Sequence, residues 1–362
     1  MGNPMVSSLF TSQRVISWEI AALIVAALLP TPAARAQDAD VQAAGAEVPL
    51  MFSGQTRSPA TTTGRHAYHI FPANTEAGRH APLNGPASQF NPQAAAARAK
   101  ALAGLAKPGF FPADLSYFGG FVMISGGSAN IYYNCADEKS CWGDPEGFLK
   151  DLAISKFIHV TDQYIGSKKN GRYPFSAADT SHPIGPTGPL DTTDIENLVH
   201  AAALQFGPHI FHVFLHQGVD VCPDPGVCYS PDNESTFVFC AYHSSASFAE
   251  FDVEIPYTVE PFQNVTGCQV AGPWPHDQLT DSTDSALSHE LFETITDPFS
   301  DSTAWVAGNS QPEEGNEIAD ICHGVGNENR EEIVPSFTLA KGHVYELQLE
   351  YSNAKHGCVA AP

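Results

Sequence analysis

The chain is poor in basic residues. Only 17 Lys and Arg residues stand against 40 Asp and Glu residues in a chain of 362, which gives a formal net charge of -23. A surface this negative repels nucleic acid phosphates and anionic lipid headgroups, so we expect partners of neither class. The same charge suits a soluble exported protein and the retention of divalent cations.

Apolar runs long enough to span a bilayer are also missing. The run Ile20–Leu29 is about half of the roughly 20 residues that a membrane-spanning helix needs. It follows a polar start that carries Arg14 and precedes the small-residue end Ala34-Arg35-Ala36, the order typical of a secretory signal peptide. We therefore predict that residues 1–36 are cleaved after Ala36 and that no membrane span remains. An uncleaved anchor or a buried core helix is the alternative.

Several catalytic signatures do not occur in the sequence. It contains no Gly-x-Ser-x-Gly elbow, no phosphate-binding Gly-x-x-x-x-Gly-Lys-Ser/Thr loop, and no Gly-x-Gly-x-x-Gly after a predicted strand. It also lacks a Cys-x-x-Cys pair. These absences leave serine hydrolases and nucleotide-binding enzymes without support, and they disfavour a zinc–thiolate cluster.

The chain has eight cysteines, and Cys135 is the first of them. An even number in an exported chain indicates disulfide bonds, whose pairing the sequence alone does not determine. Short separations favour two bridges, Cys135–Cys141 and Cys222–Cys228. If all eight cysteines pair, none is available as a catalytic nucleophile.

The chain divides by composition into an N-terminal segment and a globular domain. Residues 37–107 are rich in Ala, Gly, Pro, Ser, Thr and Asn, and such a stretch buries too little apolar surface to offset its ordering entropy. We predict a disordered low-complexity linker or propeptide there, with folding from near Phe110. Its histidines are expected at the surface: His66, His69 and His80. Residues 108–362 can form one disulfide-bonded α+β or α/β domain with a mixed sheet.

Local patterns predict the first elements of that domain. The apolar stretches 118–124 and 129–133 flank Ser125-Gly126-Gly127-Ser128, which indicates a hairpin. Asp144-Pro145 is typical of a helix start, because Asp is a good N-cap and Pro fits the first helical position.

A second helix and a strand follow. Thr193 and Glu196 have the spacing of a capping box, and Gly207 is the expected stop. Residues 209–216 are aromatic and β-branched, so they predict a buried strand with His212 and His216 on one face. Those two histidines can be metal ligands, but we favour structural roles.

The most informative segment is Asp281–Pro298, which we interpret as one helix ending at Asp297. An apolar stripe runs along it at helical spacing: Leu287, Leu291 and Ile295. His289 and Glu293 lie across the helix from that stripe and one turn apart, so both can face one ion.

This arrangement is similar to the His-Glu-x-x-His helix of metallopeptidases, with a carboxylate in place of the second histidine. In that helix the residue after the first ligand, here Glu290, is the general base that activates water. Glu317 and Asp320 are candidates for the third ligand. One histidine with two carboxylates suits Zn, and also Mn or Ca. The alternative is that both helix glutamates are solvated surface charges and His289 packs locally.

The chain resembles the phosphate-induced protein family, also called EXORDIUM-like, over residues 117–358. The matching segments are Gly119-Gly120-Phe121-Val122-Met123, Ile131-Tyr132-Tyr133, Phe148-Leu149-Lys150-Asp151-Leu152, Tyr164, Phe214-Leu215, Cys222, Cys228, Cys240-Ala241-Tyr242-His243, His289-Glu290-Leu291-Phe292-Glu293, Asp297-Pro298, Glu317-Ile318-Ala319-Asp320-Ile321-Cys322 and Cys358. The resemblance implies an extracellular, disulfide-bonded domain, associated in plants with growth promotion at the cell wall. It implies no defined reaction.

Two functions follow as expectations. The first is an exported metal-dependent hydrolase, peptidase-like, that acts on a peptide or on a cell-wall or envelope substrate. The second is a non-catalytic extracellular or envelope protein that binds a carbohydrate, calcium or a receptor.

Overall fold

The computed structural model describes residues 50–53, 68–81, 111, 113–135, 138–182, 188–299, 302–307, 317–323 and 334–362. The predicted signal peptide, residues 1–36, and most of the predicted linker lie outside these ranges. All elements below belong to one compact unit, Gly45–Pro362.

Sixteen strands and six α-helices are formed by the described residues. The strands are β1 (Met51–Ser53), β2 (Tyr68–Pro72), β3 (Leu115–Tyr117), β4 (Val122–Ser125), β5 (Ser128–Tyr133), β6 (Phe175–His182), β7 (Ile210–Leu215), β8 (Val221–Asp224), β9 (Val227–Tyr229), β10 (Phe239–Ala246), β11 (Ile255–Glu260), β12 (Trp305–Ala307), β13 (Ser336–Thr338), β14 (Val344–Glu346), β15 (Glu350–Ser352) and β16 (Gly357–Val359). The helices are α1 (Glu76–His80), α2 (Glu138–Trp142), α3 (Pro145–Leu152), α4 (Asp162–Ile165), α5 (Thr192–Phe206) and α6 (Gln278–Thr296), with a 3₁₀ turn at Phe157–Thr161.

A six-stranded mixed sheet organises the molecule, in the order β2-β10-β11-β7-β5-β6. Strands β6, β5, β7 and β11 are parallel to one another. Strand β10 is antiparallel to both of its neighbours, β11 and the edge strand β2. The other strands form two-stranded pairs. The predicted α+β class with a mixed sheet is confirmed.

The edge strand β2 comes from the segment predicted to be a linker or propeptide. All five of its residues are buried, and it pairs with β10. Ordered structure therefore begins well before Phe110. The expectation that His69 is a surface residue is wrong, because only 3% of it is exposed. His80, in α1, is exposed as predicted.

The predicted hairpin across Ser125–Ser128 is wrong, although both of its strands exist. Strand β4 pairs with β1, while β5 is a central strand between β6 and β7. Every residue of β5 is buried, so it gains more from two parallel partners in the core than from a local turn.

The two predicted helix starts differ in outcome. Asp144 caps α3 by accepting a hydrogen bond from the Gly147 amide, as predicted. Helix α5 begins one residue before Thr193, and its capping box is formed by Asp191 and Asp194 instead. Asp is as good an N-cap as Thr, so the upstream residue takes the position.

Five strands of the sheet, β5, β7, β11, β10 and β2, each contribute two adjacent residues that point to opposite faces. These residues form one row across the strands on each face. The apolar row consists of Ile131, Val213, Val259, Tyr242 and Ile70. The polar row consists of Asn130, His212, Thr258, His243 and His69. The apolar row belongs to the core beneath α5, while α6 covers the polar face.

All eight cysteines form disulfides, which is typical of a protein that matures in an oxidising environment. Two bridges are those predicted, and the others are Cys240–Cys268 and Cys322–Cys358. Within the described ranges, no helix is both apolar and long enough to cross a bilayer.

Candidate metal centre

Helix α6 carries the predicted ligand pair. It ends at Thr296 with Asp297 as its C-cap, which confirms the predicted stop before Pro298. Its N-terminus lies before the expected Asp281, because Asp277 accepts a hydrogen bond from the Thr280 amide and caps the helix there. The helix is buried on every side from Thr280 onward, so its polar residues face protein rather than water.

The first group of candidate ligands consists of His289, Glu293 and Asp320. His289 Nε2 lies 3.1 Å from Glu293 Oε1 and 3.7 Å from Asp320 Oδ1. The Asp320 amide donates to Glu293 Oε1 over 3.2 Å, so the turn that carries Asp320 is attached directly to the helix. One ligand atom from each of the three residues lies within 4.8 Å of the others.

A hydrogen bond on the far side of His289 orients its ring. His289 Nδ1 lies 3.1 Å from Gln348 Oε1, and the Gln348 amide nitrogen donates to the Ala319 carbonyl over 2.6 Å. Because the side-chain NH₂ of Gln348 donates to Ala319, the oxygen that faces His289 is an acceptor. The proton of the His289 ring is therefore on Nδ1, and Nε2 carries the lone pair. Metal-binding histidines in proteins are commonly held in this way.

The second group is centred on His243 of β10. His243 Nε2 lies 3.6 Å from Glu317 Oε2, and His69 Nδ1 lies 3.2 Å from Glu317 Oε1. The two histidines are directly opposite each other on β10 and β2, with their rings stacked 4.9 Å apart at 5°. On its other side, His243 Nδ1 lies 3.1 Å from Glu290 Oε2 and 3.6 Å from Glu293 Oε2.

The predicted residues thus meet in one region but divide between two groups. Glu317 falls in the group of His69 and His243, while Asp320 falls in the group of His289. Glu290 contacts His243.

Sequence reasoning missed His69 and gave no role to His243. The register of β2 against β10 brings His69 to the site. Neither position belongs to a spacing motif that could have revealed it.

The four predicted carboxyls are buried close to one another. Burial raises the pKa values of Glu290 and Glu317 well above their usual range and the pKa of Asp320 to about 8. Repulsion by the Glu293 carboxylate is the second cause for all three groups. Burial also raises the pKa of Glu293. The Lys and Arg ion pairs among the described residues all lie elsewhere. Such a cluster is costly to ionise without a cation, and a bound ion would reverse these shifts.

Several side chains can hold a metal ion here. Ligands about 2.1 Å from a tetrahedral zinc lie about 3.4 Å from one another. The His-to-carboxylate separations of 3.1–3.7 Å in the first group and 3.2–3.6 Å in the second are near that value. A further set, Cys135, Cys141 and His216, is unsuitable because its sulfurs form a disulfide.

His212 is hydrogen-bonded within the sheet. Its Nδ1 lies 2.9 Å from Thr258 Oγ1, and that hydroxyl donates to Glu260 over 2.8 Å. Burial lowers the pKa of His212 to about 3 and raises that of Glu260 to about 8, so it disfavours the charged form of both groups. The polar row therefore continues beyond the candidate ligands as a hydrogen-bonded chain.

Comparison with known proteins identifies no relative of this chain. No family model matches the chain, and neither a curated protein nor a solved structure matches it significantly. Membership of the phosphate-induced family therefore stays a prediction based on the residues quoted above.

Proposed function

We propose that the protein is an exported, metal-dependent hydrolase of the peptidase type, with His289, Glu293 and Asp320 as the metal-binding residues. The observation that supports this most is the convergence of the helix pair His289 and Glu293 with Asp320, which comes from a separate turn. Export is supported by the four disulfides and by the signal-like residues 1–36.

Zinc is the ion that we propose. Imidazole nitrogen favours zinc over calcium or magnesium, and the ligand separations suit a small ion. Bound zinc would polarise a substrate carbonyl and make water acidic enough to react near neutral pH. Manganese satisfies the same donor set and is tested alongside it.

Glu290 is proposed to be the general base. Its Oε2 is held by His243, while its Oε1 has no hydrogen-bond partner among the described residues. That oxygen would take a proton from the attacking water and return it to the leaving amine as the peptide C–N bond breaks.

The site is closed in this structure. His289 and Glu290 are fully buried, and the Phe71 ring of β2 stacks on His289 at 4.1 Å. Substrate entry would therefore require displacement of a segment that covers the site. The same burial favours a second candidate function, in which the centre is purely structural in a non-catalytic extracellular protein that binds a carbohydrate or a receptor.

The test compares Glu290→Gln and His289→Ala with wild type on a quenched-fluorescent peptide library, with metal content measured in parallel. We expect Glu290→Gln to retain metal and to lose about 10²–10⁴-fold in turnover, and His289→Ala to lose both metal and turnover. The matched control is Glu250→Gln, at an exposed glutamate that pairs with His200. Bound metal with no turnover in wild type would reject the hydrolase and favour the structural candidate.

A further inference from the structure

The second group of ligands is separate from the metal site proposed above. It is formed by His69, His243 and Glu317, whose ligand atoms lie within 4.8 Å of one another. Only Glu317 among these was predicted as a ligand from the sequence, and none belongs to the set of His289. The group links the edge of the sheet to the turn at residues 317–323.

Unsatisfied buried atoms point into this group. His243 and Glu317 are both 0% exposed. Neither His243 Nε2 nor either oxygen of Glu317 has a hydrogen-bond partner among the described residues. A carboxylate buried in this way is costly, and a cation between Glu317 and the facing imidazoles would remove that cost.

The other nitrogen of His243 is already engaged. The pair His243–Glu290 is a carboxylate–histidine contact of 3.1 Å, which holds the proton on Nδ1 and leaves Nε2 as a metal-binding nitrogen. His289 shows the same arrangement with Gln348. His243 and His289 therefore each present Nε2 to a group of candidate ligands, and each ring is oriented by an acceptor at Nδ1.

An alternative set, His243 with Glu290 and Glu293, is also compact. It would need Nδ1 of His243 as the ligand atom, because Nδ1 is the nitrogen that faces both carboxylates. It would also leave Glu317 and Nε2 unsatisfied. The set with His69 satisfies both, so we favour it.

We propose that His69, His243 and Glu317 bind a second zinc ion, which fastens β2 to the site and, through His243, positions Glu290. This zinc would be a structural neighbour of the first one. It makes the segment around His69 a permanent part of the domain, so any processing of residues 37–107 would have to spare β2.

The experiment uses the full mature chain, loaded with zinc, dialysed against metal-free buffer and analysed by inductively coupled plasma mass spectrometry. We expect two zinc ions per chain in wild type, one in His69→Ala, one in His289→Ala and two in the control His80→Ala. His80 is exposed and lies in the same N-terminal segment. His69→Asn, which keeps a polar side chain in β2, repeats the test, and circular dichroism establishes that each variant is folded.

The outcomes separate this inference from the proposed function. One zinc in wild type that disappears in His289→Ala but not in His69→Ala would overturn the second site and leave the first intact. Two zinc ions retained in both folded His69 variants would overturn the ligand set. Loss of one zinc in the His69 variants with unchanged loss in His289→Ala would support two independent sites, whether or not the protein hydrolyses peptides.

Discussion

The apolar and polar rows occupy the same five strands, one residue apart, yet they are opposites in chemistry. The apolar row contributes four aliphatic side chains and Tyr242 to the core beneath α5. The polar row, equally buried, contributes three histidines to the face beneath α6. A core needs only hydrocarbon to be stable, so the buried polarity of this row is the feature on which the proposed metal sites rest.

The largest expected difference between the rows is the response to metal removal. We expect His243→Ala to lower the free energy of unfolding of the metal-loaded protein by about 3–5 kcal/mol, because the ion is lost and Glu290 and Glu317 stay buried without it. Val259→Ala in the apolar row should cost about 2–3 kcal/mol through its cavity. Urea unfolding with and without a chelator checks this.

The chelator is what distinguishes the two substitutions. It should shrink the effect of His243→Ala, since wild type then also lacks its ion, and should leave the effect of Val259→Ala unchanged. An equal response of both variants would mean that the polar row holds no metal.

A smaller effect should follow from Gln348, which orients His289 without touching the ion. We expect Gln348→Leu to weaken zinc binding by about 10–100-fold, because His289 Nδ1 loses its acceptor. Gln348→Glu keeps an acceptor there and should bind zinc at least as well. Competition with a chelator of known affinity measures both. Unchanged affinity in Gln348→Leu would contradict the orienting role of Gln348.

The smallest effect concerns the part of the polar row beyond the ligands. Burial lowers the pKa of His212 to about 3, so the unfolded chain binds a proton that the folded chain does not. Stability is therefore lost as pH falls below about 6.5 towards 3, with a slope of at most about 1.4 kcal/mol per pH unit.

Urea unfolding of the metal-free protein at several pH values isolates this contribution from metal release. His212→Asn should have a correspondingly shallower acid slope than wild type. The apolar control Val213→Ala, next to it on β7, should keep the full slope. Identical slopes in wild type and His212→Asn would contradict a neutral buried histidine.

Local chemistry made part of this molecule predictable from its sequence. The end of α6, the pair His289 and Glu293, and the cap at Asp144 all depend on residues within a few positions of one another. Two disulfides were predictable because their cysteines lie only six positions apart in the sequence.

Long-range pairing was not predictable in this way. His69 reaches the site only because β2 pairs with a strand about 170 residues further along the chain, and β5 takes parallel partners instead of its neighbour β4. The composition around β2 is typical of a linker, so a strand of five buried residues was missed. One candidate ligand of the second group, His69, depends on that strand.

The disulfide Cys322–Cys358 has a consequence for the order in which the protein matures. Cys322 lies two residues after Asp320 and is joined to β16 across 36 positions of sequence. In a reducing compartment this bond is open, and the turn that carries Glu317 and Asp320 lacks its covalent anchor. Stable capture of an ion should therefore follow oxidation, so the protein would acquire its metal after export and from the supply outside the cytoplasm.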